Sequence, residues 1–292
     1  MRICRFDDNQ LGIVVGEEVC DVSGLLDMLP TTRWPVPLGD SLIVHLPQVI
    51  EAANKLLPHA SRKPLDSVKL QAPVPNPTKV LAAPVNYKAH AEEAKRDPGI
   101  HQNTHNLEIT GFDAPVDKFG LFLKANSSVV GPAEGVALHF PGRRNDHEVE
   151  VVVVIGTRCK NIPRDRAYDV IAGYTMGLDM TVRGGEDRSF RKSADSYAVL
   201  GPWLTTVDEI ANPEDIPFSL TVNSKLRQSS NTKFLTAGIP HLIALATSCY
   251  TLYPGDLIYT GTPEGVGPVE PGDVMHIESA VLGSMDVKAR IT

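Results

Sequence analysis

The sequence predicts a mostly β protein with α elements, built as a small N-terminal α+β domain and linker over residues 1–75 and a larger domain over residues 76–292. Three observations carry this expectation. A chain of 292 residues lies near the length at which single cores stop growing, which favours two unequal parts. The proline-spaced stretch QAPVPNPTK separates regions of different pattern. In the C-terminal half, short β-prone runs recur between Gly and Pro turns.

In the N-terminal part, residues 3–6, 11–15 and 19–21 read as strands and residues 41–57 as helix. Residues 86–96, NYKAHAEEAKR, favour a helix because Ala, Lys and Glu dominate them, and Asp97, Pro98 and Gly99 end it. Residues 99–120 scatter His, Asn and Asp among helix breakers, which predicts a loop or lid that orders on ligand binding. Strands follow at 148–155, 172–179, 218–222, 257–260, 274–278 and 285–291, with a helix at 239–248 covering one side. Two P-G-D turns, at 254–256 and 271–273, each restart a strand.

Composition narrows the function. Hydrophobic residues make up 42% and charged residues 22%, as in an ordinary globular protein. The net charge of −7 and the dispersed Lys and Arg residues argue against a nucleic-acid partner, while an anionic substrate remains open because a bound dication reverses the local field. Cys4, Cys20, Cys159 and Cys249 are too far apart for a C-x-x-C motif or a disulfide scaffold, so a cytoplasmic setting is expected. No apolar stretch suggests a signal or a membrane span.

In DHEVEVVVVIG, strand periodicity places Glu148, Glu150, Val152 and Val154 on one face and Val149, Val151, Val153 and Ile155 on the other. Two carboxylates entering an apolar strand either mark a solvated strand end or converge on a hard cation, which relieves their burial. Asp179 ends another candidate strand with Thr181 and Arg183 on its face, and three carboxylates with open water positions suit an octahedral ion. His147 points away from that face, and without a histidine cluster a catalytic zinc is not expected. His90 and Glu93 share a helix face and read either as a surface pair or as an oriented imidazole base, with Glu92 offset from that face. The GTPEGVG loop at 261–267 is either a plain turn or a cradle of Thr262 and backbone amides for an oxyanion; no helix follows it, so it is no dinucleotide fingerprint. Arg183, Arg188, Arg191 and Lys192 form a charge run that is either solvated surface or a counter-charge for an anionic substrate.

Taken together, VNYKAHAEE, LFLKANSSVVG, DHEVEVVVVIG, GYTMGLDMTVR, RKSADSYAVLGPW and YTGTPEGVG resemble the ordered signatures of the fumarylacetoacetate hydrolase family over residues 78–292. The resemblance implies a mixed β-roll catalytic domain, a homodimer, and Mg²⁺ or Mn²⁺ held by Glu148, Glu150 and Asp179. It also implies catalytic roles for His90, Glu93, Lys124 and Lys192, and substrate binding by Asn86, Tyr87, Arg183, Gly261 and Thr262. The chain departs from the family pattern at Pro84 and Val85, at Ala125 where proline is usual, and at Gly184 and Glu186 in place of the Asp and Gln of R-D-x-Q. These departures weigh against ordinary acylpyruvase activity and leave the metal site intact. The expected reaction is hydrolysis of the C3–C4 bond of a small 2,4-dioxo acid. The alternatives are an oxaloacetate-type decarboxylase, a dioxo-acid isomerase or hydratase, and a non-catalytic 2-oxo acid-binding protein.

Overall fold

The computed structural model describes residues 1–101 and 113–292. Among them the dominant element is a mixed sheet of twelve strands. Its spatial order runs Arg62–Pro64, Glu18–Asp21, Gln10–Val15, Arg2–Phe6, Ala198–Thr206, Ile171–Asp179, Val149–Ile155, Leu257–Tyr259, Val80–Ala82 and Phe122–Lys124. Leu70–Gln71 and Val129–Val130 pair at its side. A sheet of five strands, from Lys225–Asn231 through Pro217–Val222, Val274–Ser279 and Gly283–Ile291 to Val136–Leu138, and a smaller one of three complete the β framework. The mixed β architecture expected from the sequence is therefore the observed one.

Alternation explains why Val149–Ile155 sits at the centre. Both of its faces are buried, the odd-numbered side chains Val149, Val151, Val153 and Ile155 in one hydrophobic cluster and Val152 and Val154 in another. The second cluster also contains Ile3, Leu11, Ile13, Leu46 and Val49, and Ile3 pairs with Leu204 in the sheet. The N-terminal strands thus extend the large sheet and share its core. Glu148 and Glu150 lie at the end of the same face as Val152 and Val154, so the period of two that buries the valines also carries the carboxylates inward.

Several predicted elements shift or divide. The helical region 41–57 is two helices, Ser41–Val44 and Leu46–Leu56, with Asp40 capping the first through its side chain and Pro47 opening the second. The helix expected at 86–96 begins at Lys88 and ends at Arg96, and Ile239–Cys249 forms as expected. The strand Ala198–Thr206, not expected from the sequence, lies beside Ile171–Asp179 in the middle of the sheet. Its AVLGPWLTT run holds both Gly and Pro, residues that read as a turn when only neighbours in sequence are considered. Of the loop or lid expected at 99–120, residues 102–112 lie outside the described residues, and the remainder takes part in two short helices, Pro98–His101 and Pro115–Phe119, in place of loop.

Register brings the two carboxylate-bearing strands together. Val149 pairs with Leu178 and Glu150 with Gly177, and the Asp179 N–H donates to the Glu148 carbonyl at 2.8 Å. Gly177 is required by space rather than by conformation. A Cβ there would meet Tyr259 Cε1 at 2.6 Å, Val152 Cγ2 at 2.7 Å and the Val199 carbonyl oxygen at 2.9 Å. Gly177→Ala should therefore cost about 1–3 kcal/mol through overpacking and lower the urea midpoint. A midpoint equal to that of the parent would show that the strand can yield at this position.

Candidate metal and oxo-acid site

Glu148, Glu150 and Asp179 converge, with one oxygen from each lying within 4.8 Å of the others, and all three are buried at 4%, 1% and 1% exposure. Their surroundings differ. Glu148 Oε2 accepts from Lys192 Nζ at 2.6 Å and Glu148 Oε1 from Arg183 Nη2 at 2.9 Å. Burial alone would raise its pKa, but the Lys192 and Arg183 charges outweigh burial and hold the carboxyl far below the usual range. Glu150 has no basic side chain bonded to it among the described residues; its Oε2 accepts the Gly261 N–H at 2.6 Å. Burial first, then the charge of Asp179, pushes its pKa well above the ordinary value. Three hard oxygen donors, one of them destabilised by its like-charged neighbours, fit a hard divalent cation such as Mg²⁺ or Mn²⁺.

Two buried lysines brace the cluster. Lys192 Nζ also donates to Asp179 Oδ2 at 2.6 Å and to Thr181 Oγ1 at 2.7 Å. Lys124 Nζ donates to Asp179 Oδ1 and to the Lys192 carbonyl. Its full burial pushes its pKa down, against the pull of Asp179. Arg183 Nε reaches Asp146 Oδ2 at 2.8 Å, and Arg144 joins Asp146 Oδ1 at 2.7 Å to Asp97 Oδ2 at 2.9 Å. Asp97 caps the helix Lys88–Arg96, so an alternating row of charges runs from that helix to Glu148.

On the helix, His90 Nδ1 lies 3.0 Å from Glu93 Oε2, as the spacing of three predicts. Glu93 Oε1 accepts the Gly265 N–H at 2.9 Å, which ties the pair to the loop at 261–267. His90 Nε2 makes no hydrogen bond among the described residues. Glu92 pairs with Lys95 on the surface, away from this arrangement.

His90, Glu148, Glu150, Asp179, Arg183, Lys192 and Thr262 all line one cavity of about 70 Å³, together with Arg188, Arg191, Phe122 and Val85. Asn86, Tyr87, Glu93, Lys124 and Gly261 do not line it. Asn86 is fully buried, its amide bonded to Ala237 and Thr260 carbonyls and its oxygen to the Ala237 N–H, so it pins the chain entering the helix to the strand end. The Tyr87 ring packs edge-on against Phe218 in the core. A larger cavity of about 580 Å³ lies among N-terminal residues such as Leu11, Leu26 and Val44 and holds none of the expected site residues.

Gln228 escaped sequence reasoning. Its Oε1 accepts from the Val149 N–H at 3.1 Å and lies 3.0 Å from His147 Nδ1, while its Nε2 donates to Thr262 Oγ1 at 2.8 Å and to the Pro263 carbonyl at 2.9 Å. Thr262 Oγ1 in turn donates to the Val149 carbonyl at 2.9 Å. One buried amide thus joins the five-stranded sheet, the carboxylate strand and the Thr262 loop. A lone Gln within the exposed, polar strand KLRQSSN gives no local signal of this. Asp146 likewise gives no local signal of its bond to Arg183, which lies 37 positions away.

The departures from the family pattern have local causes. The Ala125 N–H donates to Ser193 Oγ at 2.9 Å, a bond proline would abolish. Glu186 turns outward into a two-pronged pair with Arg143 at 2.9 and 2.8 Å, and a Cβ on Gly184 would lie 1.9 Å from Arg143 Nη2. Val85 lies in the left-handed region with φ of 48°, strained for a β-branched residue on the pocket wall.

Residues 79–290 match the family model for the C-terminal region of fumarylacetoacetate (FAA) hydrolase. Over 290 residues the chain is 49% identical to a maleylpyruvate hydrolase of Aquipseudomonas alcaligenes, covering 99% of both chains. It is 35% identical to the mitochondrial oxaloacetate tautomerase Fahd2a of Rattus norvegicus over 282 residues, 92% of this chain and 83% of that one. Among solved structures, the maleylpyruvate hydrolase of Sphingobium sp. SYK-6 in complex with manganese(II) and pyruvate superimposes with a TM-score of 0.83 at 39% identity, covering 100% of this chain and 99% of that chain.

Gln228→Ala should leave the buried His147 Nδ1, the Val149 N–H and the Pro263 carbonyl unpaired, at about 1–3 kcal/mol for each group that water cannot reach. Urea unfolding should show a clear loss of stability. An unchanged midpoint would remove Gln228 from its place as the tie between the sheets.

Proposed function

The chain belongs to the fumarylacetoacetate hydrolase family, and on that premise we propose that it is a divalent-metal-dependent hydrolase. It cleaves the C3–C4 bond of a small 2,4-dioxo acid, with maleylpyruvate as its substrate. The observation that carries this reading is that the carboxylate cluster and His90, held by Glu93 behind it, open into one pocket. Similarity along nearly the whole chain to a maleylpyruvate hydrolase supports the choice of substrate.

Glu148, Glu150 and Asp179 would hold Mg²⁺ or Mn²⁺, which when bound supplies Lewis-acid polarisation of the 2-oxo acid group. Glu93 fixes the imidazole through Nδ1 and is itself held by Gly265, so His90 Nε2 is the nitrogen that accepts a proton from water. The hydroxide so formed adds to the C4 carbonyl. Collapse of the adduct breaks C3–C4, releasing a carboxylic acid and the enolate of pyruvate, which takes up a proton at C3. From maleylpyruvate and one water the products are maleate and pyruvate. Lys192 and Lys124, bonded to the cluster, offset the negative charge that grows on the enolate. Thr262 and Arg183 border the bound acid, while Gly261 acts through Glu150, and Asn86 and Tyr87 through the backbone they anchor.

Residues 1–75 form a supporting domain in this reading and residues 76–292 the catalytic one, since the lining of the pocket begins at Ala83. A homodimer is proposed from the family pattern. A cytoplasmic setting agrees with four free cysteines, three of them buried. No helix among the described residues is long and apolar enough to cross a membrane.

Mass spectrometry of the Mn²⁺-loaded protein with maleylpyruvate should show stoichiometric maleate and pyruvate. Intact maleylpyruvate alongside CO₂ release from oxaloacetate would replace the hydrolase with a decarboxylase.

Metal and proton transfer should separate by mutation. Glu150→Ala should abolish the rise in melting temperature that Mn²⁺ produces in the parent, together with turnover. His90→Ala should keep Mn²⁺ and pyruvate binding within about two-fold and slow cleavage by roughly 10²- to 10⁴-fold. Normal cleavage by H90A would sink the assignment of His90 as the base.

A further inference from the structure

Two guanidinium groups on the pocket wall form no ion pair with a carboxylate among the described residues. Arg188 and Arg191 both line it, at opposite ends of the short helix Arg188–Arg191. Arg191 is 5% exposed; its Nε donates to the Glu186 carbonyl at 2.8 Å, and its two terminal nitrogens have no hydrogen-bond partner among the described residues. Arg188, half-buried, makes no side-chain hydrogen bond among the described residues, and its guanidinium carbon lies 5.6 and 6.0 Å from the ring centres of Phe119 and Phe122. Arg183, Lys124 and Lys192 differ, since each donates directly to a carboxylate of the cluster.

An arginine stays protonated in a protein and presents five N–H donors in a planar fork suited to a carboxylate. Burial, and then the neighbouring Arg191, pushes the Arg188 pKa down; burial and then Arg183 do the same to Arg191. The surroundings leave room for an added negative charge. Asp146, Glu148, Glu150 and Asp179, with Glu186 and Asp187 beside the two arginines, stand against Lys124, Arg143, Arg144, Arg183, Arg188, Arg191 and Lys192, and a bound dication would add further positive charge.

We propose that Arg188 and Arg191 together bind a second carboxylate, at the end of the substrate remote from the 2-oxo acid group, and so select dicarboxylic dioxo acids over those with a neutral tail. This rests on the hydrolase reading above and deepens it. The assignment to the remote end follows from what each cation already holds. Lys192 and Lys124 bond the cluster at which the 2-oxo acid head would bind, whereas Arg188 and Arg191 donate to none of its three carboxylates. Phe122 spans the interval: Lys192 Nζ lies 5.5 Å from its ring centre and Arg188 6.0 Å, so its ring offers an apolar surface to the carbon chain between the two charged ends.

Calorimetry on the Mn²⁺-loaded protein should compare 2-oxoheptanedioate with 2-oxoheptanoate, which share a chain and a head and differ in the terminal carboxylate. The parent should bind the diacid at least about ten-fold more tightly. Arg188→Gln and Arg191→Gln should each remove most of that preference while leaving the monoacid within about two-fold, and Arg191→Lys should restore part of it. Because Arg188 makes no hydrogen bond that the fold depends on, R188Q carries the test even where R191Q fails to fold. Equal loss for both acids would overturn the proposal, because the arginines would then serve the head group or the fold. A preference that survives in R188Q would overturn it too. Failure of the parent holoenzyme to bind either acid would count against the hydrolase reading itself, and the arginine assignment would fall with it.

Discussion

Glu148, Glu150 and Asp179 are each at most 4% exposed, and a carboxylate removed from water must regain that solvation from its neighbours. The need is sharpest because the three are adjacent: each ionised group makes ionisation of the next harder, and Glu150, bonded only by a backbone amide, bears the consequence. Much of the architecture around the site answers this constraint. Lysines from two separate segments, a buried arginine and the amide at the start of the Thr262 loop are all directed at oxygens of the three carboxylates.

The groups that answer it also position the rest of the chemistry. The row Asp97, Arg144, Asp146, Arg183, Glu148 connects the end of the His90 helix to the cluster through bonds of 2.7 to 2.9 Å. Glu93 closes the circuit from the other side, holding His90 with one oxygen and the loop at Gly265 with the other. His90 and the carboxylate cluster are thereby held in one frame, although 58 positions separate His90 from Glu148. Such preorganisation suits the water-activating pair proposed above, since a small displacement of a base loses the aligned attack.

The large sheet gives that frame its stiffness. Val149–Ile155 is buried on both faces, and the N-terminal strands pack into the same core as Val152 and Val154. The residues that set this chain apart from the family pattern lie around the pocket and not in the sheet. Arg143 draws Glu186 away, and Gly184 leaves space for that pair.

What the sequence determined by itself is what short-range periodicity encodes. Alternation in DHEVEVVVVIG set Glu148 and Glu150 on one face, and the spacing of three set His90 beside Glu93, because both follow from the geometry of a single strand or helix. The ordered motifs pointed to a metal-dependent family. Only the tertiary structure decided the partnerships across the chain: Gln228 with Val149 and Thr262, Asp146 with Arg183, Lys124 with Asp179, and the place of Ala198–Thr206 inside the sheet. It also separated four basic residues that look alike in one charge run. Arg183 and Lys192 are bonded to the cluster, while Arg188 and Arg191 keep donors facing the pocket. The physical reason is that a side chain's charge is local, whereas the groups that neutralise it are brought to it only by strand register and packing.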